Sequence, residues 1–210
     1  MIKLIIFDLW KTLATIANPL YHFSLLIKKE FKLKQYEDEI ISAFEKTVQT
    51  KYWETEFDSY NALAKNLGIK PTKENTMKIL AVRDKAEANI NIYKFAIPLL
   101  KQLREKGYKT GLLTNSSIFI YRTIKENTKL LDYIDYPLFS FQVGTVKPDP
   151  IIYLEMQRIA NLKNKEILMI GDTYSKDVQA PKELGWNAIH FKDDYNKLKE
   201  DLKKYAIEIK

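Results

Sequence analysis

The chain has 210 residues, of which 46% are hydrophobic and 29% are charged, and it carries a net charge of +7 without any cysteine. This composition is typical of a soluble globular protein with one core, with or without an inserted segment. The absence of cysteine excludes disulfides, thiolate metal ligands and cysteine nucleophiles. No apolar run approaches the ~20 residues of a membrane span, and Asp8 and Lys11 interrupt the first one. We therefore expect a cytoplasmic protein without a signal peptide or membrane contact.

The positive charge is spread along the chain. Residues 16–92 hold 12 Lys/Arg and 11 Asp/Glu, so this segment contributes +1, and the remaining +6 is distributed over the other residues. No compact basic block with interleaved aromatic residues is present. A nucleic-acid partner is therefore not expected.

Apolar runs and amphipathic stretches alternate along most of the chain. Residues 2–8 are predicted to form a buried strand. Gly107 is a stop signal for the helix predicted before it. In chain order, the later predicted elements are a helix at 96–106, a strand at 108–114, a helix at 118–126, a strand at 138–142, a helix at 150–160, a strand at 166–170, a helix at 176–184, a strand at 188–191 and a helix at 195–205.

This alternation is typical of a parallel sheet covered by helices on both faces, which is a doubly wound α/β fold. In such sheets, ligands bind beyond the carboxyl ends of the strands. Asp8, Thr114 and Asp172 each fall at the carboxyl end of a predicted strand. Three separate segments are thus predicted to place polar side chains at one edge of the sheet.

Residues 16–92 interrupt the alternation and are predicted to be entirely helical. Apolar side chains fall on one face of three predicted helices, as expected for packing into a core, and a fourth helix is predicted around 73–88. Because the segment begins just after the first strand, we expect an all-helical cap domain inserted into an α/β core of residues 1–15 and 93–210. The apolar faces consist of Phe23, Leu26, Ile27 and Phe31, of Ile40, Ile41, Phe44 and Val48, and of Tyr60, Leu63, Ala64 and Leu67.

Three acidic residues are associated with the ends of buried strands. Asp8 follows the apolar run Ile5–Phe7, and Asp172 and Asp177 follow the apolar run 167–170. Carboxylates in such places are unfavourable unless a positive charge pairs them, and a cation shared by all three would supply that charge. The alternative for Asp172 and Asp177 is an acid pair at a helix N-terminus, which the helix dipole favours. That alternative leaves Asp8 unexplained.

Four short segments lie at or after the ends of predicted strands. They are Phe7-Asp8-Leu9-Trp10-Lys11-Thr12-Leu13, Thr114-Asn115, Lys147-Pro148-Asp149-Pro150 and Gly171-Asp172-Thr173 followed by Asp177. Together they resemble the motifs of the haloacid dehalogenase-like (HAD) hydrolases in order, spacing and strand context. Each segment alone is a weak signal, whereas four in the right order are a strong one. The resemblance covers the whole chain, with residues 16–92 at the position of the family's helical cap.

The resemblance implies a hydrolase in which Asp8 is the nucleophile. Attack by its carboxylate on a small phosphorylated metabolite would form an aspartyl-phosphate and divide one displacement into two. Mg²⁺ is the implied cofactor, because it prefers hard oxygen ligands and neutralises negative charge at the site. The implied metal contacts are Asp8, the backbone carbonyl of Trp10 and Asp172, with Asp177 binding through water or orienting the other ligands.

Four further residues are assigned by the resemblance to catalysis and substrate binding. Lys147 would bring a positive charge to the nucleophile and the phosphate; its alternative is a loop lysine before a helix. Thr114 as a catalytic residue and Asn115 as a substrate-binding residue would donate hydrogen bonds to phosphate oxygens. Their alternative is a helix N-cap, which is compatible because a helix N-terminus itself binds anions. Thr12 is predicted to bind substrate or to support the turn at Asp8.

Two positions depart from the family pattern. Phosphatases of the family usually carry a second aspartate two residues after the nucleophile, which protonates the leaving group, and here that position is Trp10. An indole donates a hydrogen bond but exchanges no proton at neutral pH, and loss of a general acid lowers a rate by about 10²–10⁴. The next position, usually glycine, is Lys11.

These departures leave three functions open. The first is a Mg²⁺-dependent phosphatase that is slow or restricted to good leaving groups such as acyl or aryl phosphates, with another side chain, for example from the cap, replacing the acid. The second is 2-haloacid dehalogenation, whose enzymes place tyrosine at the Trp10 position but use no metal and lack an acid matching Asp172. The third is a catalytically impaired domain that binds a phosphate ligand or a protein partner.

Overall fold

The structure is a computed structural model that describes residues 1–209, apart from the side chain of Pro19. Lys210, the last residue of the predicted core segment 93–210, lies outside the described residues. The strands are β1 (Leu4–Phe7), β2 (Ala14–Ile16), β3 (Ile90–Ile92), β4 (Lys109–Thr114), β5 (Tyr136–Phe139), β6 (Ile167–Gly171) and β7 (Asn187–His190). Five of them form a parallel sheet in the order β5-β4-β1-β6-β7, so the first strand of the chain is central.

Helices occupy the connections between these strands, and the turn at residues 174–179 is π-helical. Side-chain capping marks the starts of several of these helices. The side chains of Thr55 and Thr72 accept backbone hydrogen bonds at the starts of α3 and α4, and Asp149 does so at the start of α8. The helices are α1 (Phe23–Phe31), α2 (Glu37–Val48), α3 (Glu56–Asn66), α4 (Lys73–Glu87), α5 (Ala96–Glu105), α6 (Ile118–Asn127), α7 (Ser140–Val143), α8 (Pro150–Ala160), α9 (Ala180–Glu183) and α10 (Tyr195–Lys203).

Both faces of the sheet are buried, as the side chains of β1 demonstrate. Successive strand residues point to opposite faces, so Ile5 and Phe7 join one core cluster while Leu4 and Ile6 join another. Buried side chains of α5, α6 and α10 complete the first cluster, and those of α8 complete the second. The predicted doubly wound α/β fold is therefore confirmed. Across residues 1–209, no helix combines the length and the hydropathy that a membrane crossing requires.

Helices α1–α4, here called the helical unit (residues 23–87), pack against one another. An aromatic cluster continues from this unit into the α/β part: the rings of Phe44 and Tyr60 lie 6.3 Å apart, and Tyr60 lies 6.4 Å from Phe119 of α6. The buried side chains of the helical unit therefore belong to the same core cluster as those of α5 and α6.

Two local predictions were wrong. Residues 16–92 are not entirely helical, because β3 pairs antiparallel with β2, and Ile16 and Ile90 are partners in that pair. The predicted strand at 138–142 ends at Phe139, and α7 begins at Ser140. The Ser140 hydroxyl oxygen accepts the backbone N–H of Ser116 in the loop after β4, and the Gln142 side chain accepts the backbone N–H of Phe139. These side-chain hydrogen bonds end the strand and begin α7.

Replacement of Leu100 by Ala should lower the free energy of unfolding by about 2–5 kcal/mol, because the side chain is fully buried on the inner face of α5 and its loss leaves a cavity. Lys101 is the matched control, since 63% of its side chain is exposed on the same helix. Lys101→Ala should change the free energy by less than about 0.5 kcal/mol. Urea denaturation of both variants measures this difference, and equal effects would contradict the assigned orientation of α5.

Candidate active site

The carboxyl ends of β4, β1 and β6 lie side by side, because β1 is placed between the other two in the sheet. Asp8 follows β1, Thr114 ends β4 and Asp172 follows β6. The backbone N–H of Asp8 donates to the carbonyl of Ile170 at 2.9 Å, which continues the pairing of β1 with β6 up to the acid. The strand order therefore brings side chains from three distant segments to one edge.

Asp8, Asp172 and Asp177 form a carboxylate cluster. One oxygen from each residue lies within 4.8 Å of those from the other two. Asp8 is 6% exposed and Asp177 is 1% exposed. Negative charges that are this close and this well shielded from water repel one another strongly. The cluster offers the hard oxygen ligands and the excess negative charge that suit a divalent cation.

Lys147 brings a positive charge into this cluster. Its Nζ donates to Asp8 Oδ1 at 2.7 Å and to Asp177 Oδ1 at 2.6 Å, and only 2% of its side chain is exposed. Burial alone would lower the pKa of Lys147, but the attraction of Asp177 and Asp8 raises it above its ordinary value. Lys147 is therefore a buried cation and not a solvated loop lysine.

One lysine does not balance three acids. Burial, together with repulsion from Asp177 and Asp172, raises the pKa of Asp8 to about 7 despite the attraction of Lys147. Burial and repulsion from Asp177 also raise the pKa of Asp172. An additional positive charge would favour the ionised form of both carboxyl groups.

The close packing of Asp177 against β6 depends on Gly171. A Cβ added at Gly171 would lie 2.3 Å from Cγ of Asp177, which is too close for any side chain. Asp177 Oδ2 accepts the backbone N–H of Thr173 at 3.0 Å, while Oδ1 accepts from Lys147. The alternative interpretation, an acid pair at a helix N-terminus, fits the position of Asp177 in the first turn of the helical segment 174–179 but does not explain its pairing with the buried Lys147.

Asn115 connects the loop after β4 to Lys147. Its Nδ2 donates to the backbone carbonyl of Lys147 at 3.1 Å, and its Oδ1 accepts the backbone N–H of Lys147 at 2.7 Å. The same Nδ2 donates to Oε1 of Glu45 in α2 at 3.1 Å. Asn115 thus fixes the backbone of the buried lysine and contacts the helical unit, neither of which the sequence predicted.

Ser116 joins Trp10 to Thr114. The indole N–H of Trp10 donates to Ser116 Oγ at 3.1 Å, and this oxygen lies 3.2 Å from Oγ1 of Thr114. Thr114 and Ser116 are both fully buried. Because an indole has a single donor, Trp10 has no further hydrogen bond to offer in this arrangement.

The predicted site residues Thr114 and Asn115 do not cap helix α6. The N-cap of α6 is Ser117, whose side chain accepts the backbone N–H of Ile120, so neither Thr114 nor Asn115 caps this helix.

Thr12 is 1% exposed, and its Oγ1 makes no hydrogen bond to any described residue. The hydroxyl of Thr12 is therefore buried without a hydrogen-bond partner among these residues.

Two adjoining cavities lie between the sheet edge and the helical unit. The acidic cavity has a volume of about 80 Å³, and Asp8, Lys147, Asp172 and Asp177 are in its lining. The large cavity has a volume of about 310 Å³ and extends along the helical unit past Phe44. Residues from both parts of the chain line both cavities: Trp10, Glu45, Asn115, Thr173 and Lys176.

Glu45 and Lys176 are residues of this site that the sequence analysis missed. The Nζ of Lys176 lies 2.8 Å from Oε1 and 3.0 Å from Oε2 of Glu45, so an ion pair joins α2 to the turn that carries Asp177. Lys176 could have been found, because it directly precedes Asp177 in the fourth motif. Glu45 carries no such signal, since a charged residue beside the apolar face of a helix usually contacts solvent.

Comparison with known proteins shows the family to which this chain belongs. A sequence model described as haloacid dehalogenase-like hydrolase matches residues 2–185, which include the carboxylate cluster and Lys147. The chain belongs to this family. It is a HAD-like hydrolase by family, and the resemblance carried by the four motifs is confirmed.

Individual relatives share different parts of the chain. The rhythmically expressed gene 2 protein of Drosophila melanogaster is 39% identical over 93 residues, which are 43% of this chain and 35% of that protein. The glyceraldehyde 3-phosphate phosphatase of Methanopyrus kandleri is 26% identical over 196 residues, which are 88% of this chain and 82% of that protein. The chain thus spans about a third of the length of the first relative and most of the second.

Two solved structures of the HAD-like type share the fold. A HAD family enzyme from Bacteroides thetaiotaomicron, solved in complex with magnesium and inorganic phosphate, has a TM-score of 0.70 at 21% identity, covering 94% of this chain and 99% of its own. The 2-haloacid dehalogenase from Pseudomonas syringae pv. Tomato DC3000 has a TM-score of 0.64 at 20% identity, covering 98% and 100%. At these identities the similarity establishes the fold alone.

Replacement of Asp8 by Asn should stabilise the metal-free protein more at pH 8 than at pH 5. The pKa of Asp8 in the folded protein, about 7, lies above its ordinary value of 3.8. The proton bound by Asp8 therefore adds to the free energy of unfolding fully below about pH 4, and this contribution is lost as the pH rises through 7. Asn at this position does not titrate, so the variant avoids the loss, and Lys147 stays paired with Asp177. The gain in the free energy of unfolding at pH 8 should exceed the gain at pH 5 by on the order of 2 kcal/mol.

Urea denaturation in EDTA at the two pH values measures this difference. The Asp38→Asn variant, at an exposed position of α2, is the control. Equal stabilisation by Asp8→Asn at both pH values would contradict a raised pKa of Asp8.

Proposed function

We propose that this chain is a Mg²⁺-dependent phosphatase that hydrolyses a small phosphorylated metabolite through an aspartyl-phosphate at Asp8. The observation that carries the proposal is the cluster of three carboxylates around the buried Lys147. Two proteins similar to this chain support it. One is named for its action on glyceraldehyde 3-phosphate, and the other was solved with magnesium and inorganic phosphate.

Asp8 would act as the nucleophile. One carboxylate oxygen would bond to phosphorus as the bond from phosphorus to the leaving oxygen breaks, and water would then hydrolyse the acyl phosphate and restore the carboxylate. Lys147 would favour the ionised form of Asp8 and offset the charge of the phosphate. Thr114 would donate its hydroxyl hydrogen and Asn115 its backbone N–H to phosphate oxygens, since both hydrogens of Asn115 Nδ2 are already donated to Lys147 and Glu45. Thr12, whose hydroxyl lacks a partner among the described residues, remains a candidate for substrate binding.

The carboxylate cluster fits Mg²⁺. Asp8, Asp172 and the backbone carbonyl of Trp10 would hold it, and Asp177 would bind through water or orient the other ligands. The raised pKa values of Asp8 and Asp172 are those of a site that is short of positive charge. When bound, Mg²⁺ supplies the charge that reduces the repulsion between a carboxylate and a phosphoryl group.

We also propose that residues 16–92 form a cap domain over a core of residues 1–15 and 93–210. The strand pair β2–β3 lies where the chain leaves and re-enters the α/β part, and Glu45 of the helical unit lines the acidic cavity. A cap excludes bulky substrates and water, which favours a small molecule as the ligand. The cytoplasm is the compartment in which we place this reaction.

The aromatic residue at position 10 favours a second candidate function, 2-haloacid dehalogenation. Trp10 lines the acidic cavity, and a halide departs without a proton. Asp172 opposes this candidate, because dehalogenases of the family use no metal and lack an acid at this position. The phosphatase is preferred for that reason.

Phosphate release from p-nitrophenyl phosphate and acetyl phosphate tests the proposal. We expect release with Mg²⁺ and none above background with EDTA. Asp8→Asn should lower the rate by about 10³-fold or more, because the nucleophile is lost. The Asp38→Asn variant, changed at an exposed position of α2, should retain the rate of the unmodified protein.

The absence of phosphate release from both compounds would overturn the phosphatase. Halide release from 2-chloropropionate measured in the same samples would then establish the second candidate. The absence of both products, combined with retained phosphate binding, would identify a catalytically impaired domain.

A further inference from the structure

The reaction proposed above takes place in the acidic cavity and leaves the large cavity without a role. The volume of about 310 Å³ is that of a small-molecule pocket, and the two cavities share five lining residues. A phosphate held beside Asp8 would therefore direct its organic group into the large cavity. The lining of that cavity selects the organic group.

Apolar and aromatic side chains form most of the exposed surface of this lining, and Thr15, His22 and Ser24 are among its polar members. Ile41, Phe44 and Tyr60 come from the helical unit, Ile120 comes from α6, and Trp10 stands at the junction with the acidic cavity. Such walls suit an apolar ring. Hydroxyl groups of a sugar or polyol that face this apolar part of the wall would be left without hydrogen bonds.

The charged side chains that line the cavity are largely paired with one another. Arg83 donates to both carboxylate oxygens of Glu87 at 2.6 Å, and Lys176 pairs with Glu45. Lys11 is exposed to solvent. These ion pairs hold their charges in place, so the cavity has little demand for a charged organic group.

One fully buried polar atom in this lining has no partner among the described residues. Gln49 is 6% exposed, and its buried Oε1 accepts no hydrogen bond from them. The residue is fixed in position, because its backbone carbonyl accepts from Ser140 Oγ at 2.7 Å. An unpaired buried acceptor is unfavourable, and rotation of the Gln49 amide towards the cavity that the residue lines would let an N–H or O–H of a ligand satisfy it.

At the junction of the two cavities, Trp10 determines which leaving groups can depart. Its indole N–H is donated to Ser116 Oγ, so position 10 supplies neither a proton nor a hydrogen bond to the leaving oxygen. A phenol-type oxygen departs as a stable anion without such help, whereas an alkoxide does not. The missing acid and the apolar walls thus favour the same class of compound.

We propose that the substrate is the phosphate monoester of a phenol-type hydroxyl on an apolar ring that carries a hydrogen-bond donor for Gln49. This inference rests on the proposed phosphatase. The phosphate occupies the acidic cavity and the ring occupies the large cavity. Asp8 bonds to phosphorus, the bond from phosphorus to the ring oxygen breaks, and its electron pair leaves with the phenolate, which takes a proton from water.

A substrate panel tests this class. The values of kcat/KM are measured with Mg²⁺ for phenyl phosphate, for the three isomeric hydroxyphenyl phosphates and their methoxyphenyl counterparts, for glycerol 3-phosphate and for glucose 6-phosphate. Acetyl phosphate, whose small leaving group needs no large cavity, is the reference. The aryl compounds should exceed the polyol phosphates by about 10²-fold. At least one hydroxyphenyl phosphate should exceed its methoxyphenyl counterpart by about fivefold, as one hydrogen bond provides.

The Gln49→Leu variant tests whether a hydrogen-bond donor on the substrate ring bonds to Gln49. Leucine retains the approximate volume and removes the unpaired acceptor, so the preference for the hydroxyphenyl compound should disappear while the melting temperature stays equal or rises. Gln35→Leu is the matched control, because Gln35 lies in the loop between α1 and α2 and its side chain donates to the carbonyl of Leu67. The control should retain the preference.

Three outcomes would contradict the inference. Turnover of acetyl phosphate without an aryl preference would overturn the substrate class and leave the phosphatase standing. Turnover of no compound in the panel would overturn both proposals. An aryl preference without any gain from a hydroxyl group, or a gain that persists in Gln49→Leu, would overturn the donor for Gln49.

Discussion

The buried ammonium group of Lys147 is the interaction on which the rest of the site depends. It lies 2.7 Å from Asp8 and 2.6 Å from Asp177, with almost no access to water. Removal of the lysine would leave the buried carboxylates of Asp8 and Asp177 without a compensating charge and would be strongly destabilising. The surrounding structure places these groups: Asn115 holds the backbone of the lysine, and Gly171 leaves room for Asp177.

The same charge arrangement connects catalysis to a cation. Asp8 and Asp172 are held with raised pKa values, because one lysine cannot balance three acids in a buried place. A divalent cation would complete the balance and keep Asp8 ionised as a nucleophile. Trp10 stands where phosphatases of the family usually carry the proton donor, and most of the lining surface of the adjoining large cavity is apolar. The site therefore combines a strongly charged small cavity with a larger cavity in which most charged side chains are paired with one another.

The α/β core could be predicted, because buried strands and amphipathic helices alternate and parallel strands share one carboxyl edge. That edge explains why Asp8 and Asp172 could be placed together from sequence. Glu45 and Gln49 could not be found, since their roles arise only when α2 packs over the sheet edge. The strand predicted at 138–142 was wrong because Ser140 forms hydrogen bonds with residues far away in sequence. Hydrophobic patterning of the sequence indicates local secondary structure, whereas hydrogen bonds between residues distant in sequence depend on the assembled fold.

Calorimetric titration of Mg²⁺ into the protein and into the Asp172→Asn variant tests the central claim most directly. The charge imbalance of the cluster predicts that the unmodified protein binds Mg²⁺ and that Asp172→Asn weakens this binding by more than about tenfold, because a ligand and a negative charge are removed together. The exposed Asp38→Asn variant should bind Mg²⁺ normally. Absence of Mg²⁺ binding to the unmodified protein, or equal binding to Asp172→Asn, would contradict the account.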